Sequence, residues 1–171
     1  MVEERVDKMI VFARVDDRLV HGQVATTWVR ACSANRIYIV DDTVAADNFL
    51  ISLYKGLAPQ GTRIEIWDVA TACTKVALVA QHPQIKGFVL CKSPVEFLRM
   101  SDAGIPFDKI CVGNMAPKDG RIQLQAKRNT WATAEERDAF RALAQRGIDV
   151  YIQHTPEQSR VPILKADGMR E

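Results

Sequence analysis

Six short apolar runs recur along the chain, and a stretch with helical character separates most neighbouring pairs. The runs span residues 9–15, 36–41, 62–67, 86–91, 107–112 and 148–153. Arg36-Ile37-Tyr38-Ile39-Val40-Asp41 is apolar almost without interruption, as is Gly87-Phe88-Val89-Leu90. That pattern belongs to strands covered on both faces. Thr62-Arg63-Ile64-Glu65-Ile66-Trp67 alternates, which also reads as a strand. Between the runs, residues 23–33, 42–57, 69–81, 94–104 and 133–146 read as helices.

Local signals support several of these boundaries. Asp42-Thr43 can cap the second helix, and Pro59-Gln60-Gly61 ends it. Ser93 caps the fourth helix with Pro94 at its first position. Thr133 and Glu136 form a capping-box pair, and Gly147 closes the last helix. Residues 113–131 break the rhythm and read as a hairpin-like excursion around Arg121-Ile122-Gln123-Leu124-Gln125. Residues 1–8 are expected to be a loose leader, and the stretch after Pro156 a polar, mobile tail.

Strand and helix alternating in this way imply an α/β fold. The expectation is a mostly parallel central sheet of about six to seven strands, with helices on both faces. A chain of 171 residues fits one domain over 1–171 and can bury a proper core. Right-handed crossovers gather the loops after the strands on one sheet edge, where α/β proteins bind ligands. Those loops hold residues 16–22, Asp41-Asp42, Asp68, Lys92-Ser93-Pro94 and Gly113-Asn114.

One of them stands apart. Arg14-Val15-Asp16-Asp17-Arg18-Leu19-Val20-His21-Gly22-Gln23 places two arginines, two aspartates, a histidine and a glycine between the first strand and the first helix. A helix N-terminus offers free N–H groups and the positive end of its dipole to an anion. From this loop alone, a plain turn or capping role for His21 stays open, and charged pairs of this kind also occur on solvated surfaces.

Other chemistries lack support. A formal net charge of +2 gives no global drive toward nucleic acid. There is no Gly-x-Gly-x-x-Gly, Walker loop or nucleophile elbow, and no paired-cysteine or helical-histidine metal motif. Cys32, Cys73, Cys91 and Cys111 are scattered and mostly sit in apolar runs, as reduced core thiols of a cytoplasmic protein would. No signal peptide or membrane span is evident, so a membrane role is expected only through a partner.

The stretch from Arg14 to Val24, with Trp28 following, resembles the signature of the IIB component of the mannose/fructose/sorbose family of the bacterial sugar phosphotransferase system. Further matches follow in order: Val40-Asp41-Asp42 with Val44-Ala45 and Asp47, Ala58-Pro59 with Gly61, Lys92-Ser93-Pro94, Val112-Gly113-Asn114-Met115, and Gly147-Ile148. They span residues 9–154, and the stretch 116–128 follows the pattern least well.

The resemblance implies a phosphoryl carrier. A histidine accepts the group from the phosphohistidine of a IIA protein and passes it to a sugar held by the membrane components IIC and IID. By resemblance that histidine is His21, the attacking atom is Nδ1, and the chain pairs as a homodimer. No cofactor and no metal are called for. The residue chemistry is compatible: imidazole is a nucleophile at neutral pH, and its phosphoramidate is a reactive donor. Arg18, three residues before His21, is the first candidate to neutralise the transferring phosphoryl, with Arg14 beside it; an ion pair with Asp16 or Asp41 is the other role open to Arg14. Asp16 either orients the imidazole or holds an arginine. The backbone around Gly22 and Gln23 completes a cradle. Lys92 and Ser93 are expected to touch phosphate or partner, although Ser93 also suits an ordinary N-cap. Leu19 and Val20 either rim the donor's docking surface or face the core. The same anion loop could also serve a phosphate- or nucleotide-sensing module, or a small phosphoester hydrolase.

Overall fold

The computed structural model describes residues 10–79 and 82–170. β1 (Ile10–Val15) lies at the centre of the sheet, parallel to β4 (Gly87–Cys91) on one side and β5 (Lys109–Val112) on the other. Beyond β4 come β2 (Arg36–Val40) and β3 (Arg63–Trp67), also parallel. Beyond β5 comes parallel β8 (Asp149–Ile152), and β9 (Val161–Pro162) closes that edge antiparallel. The order is β3-β2-β4-β1-β5-β8-β9. The expected α/β class and strand content therefore hold, with seven strands in the main sheet among the described residues. β6 (Ile122–Gln125) and β7 (Thr130–Ala132) form a separate antiparallel pair, the excursion foreseen between residues 113 and 131.

Among the described residues six α-helices accompany the sheet: α1 (Gly22–Cys32), α2 (Asp42–Ala45), α3 (Asn48–Gly56), α4 (Val69–Val79), α5 (Pro94–Asp102) and α6 (Ala134–Gln145). Two apolar clusters result. Trp28 and Val29 of α1, with Leu50 and Tyr54 of α3, pack on Ile37, Ile39, Phe88 and Leu90 of the strands. Ala72 of α4, Phe97 and Met100 of α5, and Phe140 and Leu143 of α6 pack with Val89, Ile110, Val112 and Val150. The alternation of strand residues between the two clusters is the two-residue side-chain period of a strand buried on both faces.

Caps follow the sequence signals with one correction. The Ser93 hydroxyl accepts from Val95 N, and Thr133 and Glu136 form the reciprocal capping box. Gly147 turns the chain out of α6 with φ +83°. The single helix expected over 42–57 is instead two. Asp41, not Asp42 or Thr43, caps α2 by accepting from Val44 N at 2.8 Å. Asp47 restarts the chain as α3 by accepting from Phe49 N and Leu50 N. Asp42 turns outward to accept from Val69 N and from Arg99.

The tail also differs from expectation. Residues after Pro156 form β9 and two short 3₁₀ turns, and they bury Ile163, Ala166 and Met169. The two turns meet at Ala166, which is extended, and burial of the three apolar side chains outweighs the polar character of their neighbours. The leader over residues 1–8, Met9 and the last two residues of the expected 69–81 helix lie outside the described residues.

Candidate functional site

At the end of β1 the backbone is locked into the sheet edge. Asp16 N donates to Cys91 O at 2.8 Å, and Gly113 N donates to Val15 O at 2.8 Å. The chain then turns sharply. Leu19 N donates to Asp16 O at 3.0 Å, and Leu19 adopts φ +54° with its side chain buried. A non-glycine residue in that region costs on the order of 1–2 kcal/mol, so tertiary contacts must hold the turn. Leu19 and Val20 both face the core and do not form an apolar rim.

Asp16 is the hub of this turn. Its carboxylate is buried and accepts from Arg18 N at 3.1 Å, from Asn114 N at 3.3 Å and from Arg14 Nη2 at 3.4 Å. His21 follows as the N-cap residue of α1, with its side chain 16% exposed. Its Nε2 lies 3.3 Å from Asp16 Oδ1. That nitrogen is shielded from solvent, and its contact with the carboxylate is close but not aligned as a hydrogen bond. A ring that turns Nε2 inward leaves Nδ1 on its outer side. A carboxylate beside Nε2 favours the tautomer with the proton on Nε2 and the lone pair on Nδ1.

The helix beyond is prepared for an anion. His21 makes no side-chain hydrogen bond to the first turn of α1, and that turn carries no acidic residue. Gly22 is exposed at φ +34°, a left-handed geometry that glycine adopts freely, and a Cβ there would meet nothing within 4 Å. Gln23 begins the helix behind it; its side chain lies outside the described residues. The Arg18 guanidinium is exposed on the same loop, without an ion-pair partner among the described residues.

Arg14 occupies a different place from Arg18. It is buried beneath the loop, where Nη1 donates to Gln153 O at 2.9 Å and to Cys111 Sγ at 3.1 Å. Nη2 donates to His154 O at 3.2 Å and to Asp16. The guanidinium lies over the Trp28 ring, 5.1 Å from its centroid, and the indole N–H also donates to His154 O at 3.1 Å. The geometry therefore brings Arg14, Asp16, Arg18 and His21 into one assembly but stacks them in depth. Arg18 faces outward, while Arg14 supports Asp16 from below.

Lys92 and Ser93 sit at the end of the neighbouring strand β4. Lys92 Nζ is 3.9 Å from Asp41 Oδ2, and the Ser93 hydroxyl is occupied in capping α5. His154 packs against Thr130, with Nε2 3.3 Å from its hydroxyl, and burial together with the Arg14 charge lowers its pKa. Cys91 and Cys111 are buried, and burial pushes the Cys111 thiol up to about 11. No cluster of three metal-ligating side chains occurs among the described residues.

Sequence reasoning missed Arg121. Its guanidinium is buried and bridges Asp17 of the loop to Glu136 of α6. Burial alone would lower its pKa, but hydrogen bonds to Asp17 and Glu136 outweigh that and raise it above the usual arginine range. No clue to it lay in the sequence: Asp17 has Arg14 and Arg18 close by in the chain, and its actual partner lies 104 residues away.

Residues 10–169 match the family model of the PTS system sorbose subfamily IIB component. The chain belongs to this family. A sorbose-specific EIIB component of Lacticaseibacillus casei is 37% identical over 143 residues, covering 82% of this chain and 84% of the relative. An N-acetylgalactosamine-specific IIB component of Escherichia coli K12 is 30% identical over 156 residues, covering 91% and 97%. Among solved structures, the IIB domain of the sorbose permease of Klebsiella pneumoniae superposes with a TM-score of 0.85 at 30% identity, covering 91% of this chain and 94% of that one. IIB components are phosphotransferases that carry phosphoryl groups in sugar transport, and this IIB chain is such a carrier. Among its described residues no helix is long and apolar enough to cross a membrane.

Proposed function

We propose that His21 is the residue on which this IIB component carries the phosphoryl group, and that Nδ1 is the atom that accepts it. The observation that supports this most directly is the orientation of the ring. Nε2 faces the buried Asp16 carboxylate at 3.3 Å, which leaves the lone pair on the outward nitrogen. A phosphohistidine of the IIA protein approaches in line. The new N–P bond forms at His21 Nδ1 while the old one breaks, and its electron pair returns to the donor imidazole. The Nε2–H stays in place and its growing positive charge is met by Asp16.

Charge on the equatorial oxygens is met by the Arg18 guanidinium and by the N–H groups of Gly22 and Gln23 at the start of α1. Arg14 holds the Asp16 carboxylate in place from below, at 3.4 Å, without reaching the phosphoryl group. The two cysteines on the strands beside β1 are less suitable acceptors. Cys91 and Cys111 are buried with raised pKa values, and neither presents a thiolate at neutral pH.

In this proposal the chain works as one IIB domain on the cytoplasmic side. It receives from IIA and delivers to a sugar in the membrane components IIC and IID. Lys92, at the same sheet edge, meets a partner. The homodimer is carried over from the family resemblance alone, and sedimentation velocity measures it. The test of the carrier residue is labelling from phosphoenolpyruvate through the general phosphotransferase proteins and a IIA protein. Wild type takes up one phosphoryl group and His21→Ala takes up none while keeping its fold. Undiminished labelling of His21→Ala would remove His21 from the scheme.

A further inference from the structure

The stretch 116–128, which departs most from the family pattern, supplies the most complete polar anchor of the His21 loop. Arg121 makes five hydrogen bonds, one for each of its N–H groups. Nη1 donates to Asp17 Oδ2 at 2.7 Å and to Ala116 O at 2.9 Å. Nη2 donates to Asp17 Oδ1 at 3.0 Å and to Glu136 Oε1 at 2.7 Å. Nε donates to Glu136 Oε2 at 3.0 Å. The side chain is 4% exposed, and the two carboxylates are 6% and 9% exposed. Each carboxylate is held at both oxygens by the planar fork, which a lysine cannot imitate.

The consequence falls on the loop. Asp17 also accepts from Ala116 N at 2.7 Å and donates through its own N–H to Asn114 O at 2.8 Å. It is bonded directly to Asp16, whose carboxylate faces Nε2 of His21. Between them and the histidine lies Leu19 at φ +54°, a conformation that relaxes unless both ends of the turn are held. On its far side, Glu136 belongs to the capping box of α6 and accepts from Thr133 N. The loop is thus tied to the frame of a long helix through one guanidinium.

We infer that Arg121 is a positioning residue for phosphoryl transfer: by clamping Asp17 against Glu136 it fixes the backbone that aims Asp16 at His21, without touching the phosphoryl group. This rests on His21 as the carrier. A residue that only staples the β6–β7 hairpin to α6 would contribute stability and nothing to turnover.

Three variants separate the roles. Arg121→Lys keeps the charge and loses the fork. Asp17→Asn loosens the clamp from the loop side. Glu136→Gln loosens it from the helix side. Phosphoryl transfer from a phosphorylated IIA protein is measured well below each melting temperature. Arg121→Lys and Asp17→Asn are expected to lower kcat tenfold or more, with KM for the donor within twofold of wild type. Glu136→Gln leaves Arg121 its grip on Asp17 but frees it from the helix, so it is expected to lower kcat by a smaller factor, about threefold to tenfold, together with the melting temperature. Nitrogen-15 spectra of the His21 ring should show the Nε2–H tautomer giving way to a mixture in the first two variants. If Arg121→Lys does not fold, Asp17→Asn answers alone. Wild-type kcat in both loop-side variants overturns the inference, as does a loss that tracks melting temperature in all three with the tautomer unchanged. Failure of wild type itself to label on His21 would strike the carrier assignment instead.

Discussion

Substituting Gly113 by alanine tests how the loop is supported. The methyl group would lie 2.7 Å from Arg14 Nε and closer still to Cζ and Nη2, so the guanidinium must move. Arg14 is buried, with two backbone carbonyls, a thiol and a carboxylate as partners. Losing hydrogen bonds from a charged group costs about 1.5–3 kcal/mol each, and the losses do not add fully. Leaving a buried ion without its partner costs about 3–5 kcal/mol in total. A loss of roughly 3–4 kcal/mol is therefore expected, within what a folded domain with about 5–15 kcal/mol of stability can survive. Urea unfolding of wild type, Gly113→Ala, Arg14→Ala and the double variant measures it. With Arg14 truncated, the space is empty and Gly113 has no left-handed φ to restrain alanine. The second substitution then adds less than about 0.5 kcal/mol, and the coupling between the sites is near 3 kcal/mol. Costs that simply add in the double variant would refute the contact as the cause, as would a Gly113→Ala variant as stable as wild type.

Other consequences are as direct. Arg18→Lys keeps the charge but removes the two-point grip on phosphoryl oxygens, so transfer should fall about tenfold or more with partner binding little changed; near-normal transfer would release Arg18 from that role. Glu96, in the first turn of α5, has one buried carboxylate oxygen without a partner, and burial followed by the nearby Asp41 charge raises its pKa from 4.5 to about 7. The folded state thus holds a proton between about pH 4.5 and 7 that the unfolded chain has released, and stability declines as pH rises through that window. Its size is on the order of 2–3 kcal/mol, and Glu96→Gln should flatten the decline in melting temperature between pH 5 and 8; an unchanged slope would assign it elsewhere.

The sheet was legible because buried parallel strands leave near-continuous apolar runs, and the helix starts because Ser93, Thr133 and Glu136 act locally. The break at Ala46 and Asp47 was hidden: Asp41, Asp42, Thr43 and Asp47 can each cap a helix, and only the hydrogen bonds show that Asp41 and Asp47 do. Ile163, Ala166 and Met169 were overlooked because their polar neighbours dominate any window of that length.

At the site, sequence spacing placed His21, Arg18, Asp16 and Gly22 on one loop, since all depend on local chain geometry. It could not separate Arg14 from Arg18. Which guanidinium faces solvent depends on the sheet register, which sets Arg14 opposite Cys111 and under residues 153–154. Arg121 was out of reach for the same reason, as its partners lie 104 and 15 residues away.

The central claim is that one imidazole, turned by Asp16, carries the phosphoryl group on its outward nitrogen. Phosphorus-31 and nitrogen-15 spectra of the chain after transfer from the phosphorylated IIA protein address it directly. A single acid-labile phosphoramidate at Nδ1 of His21 is the predicted result. A phosphoryl group at Nε2, on a cysteine or on another histidine would contradict it.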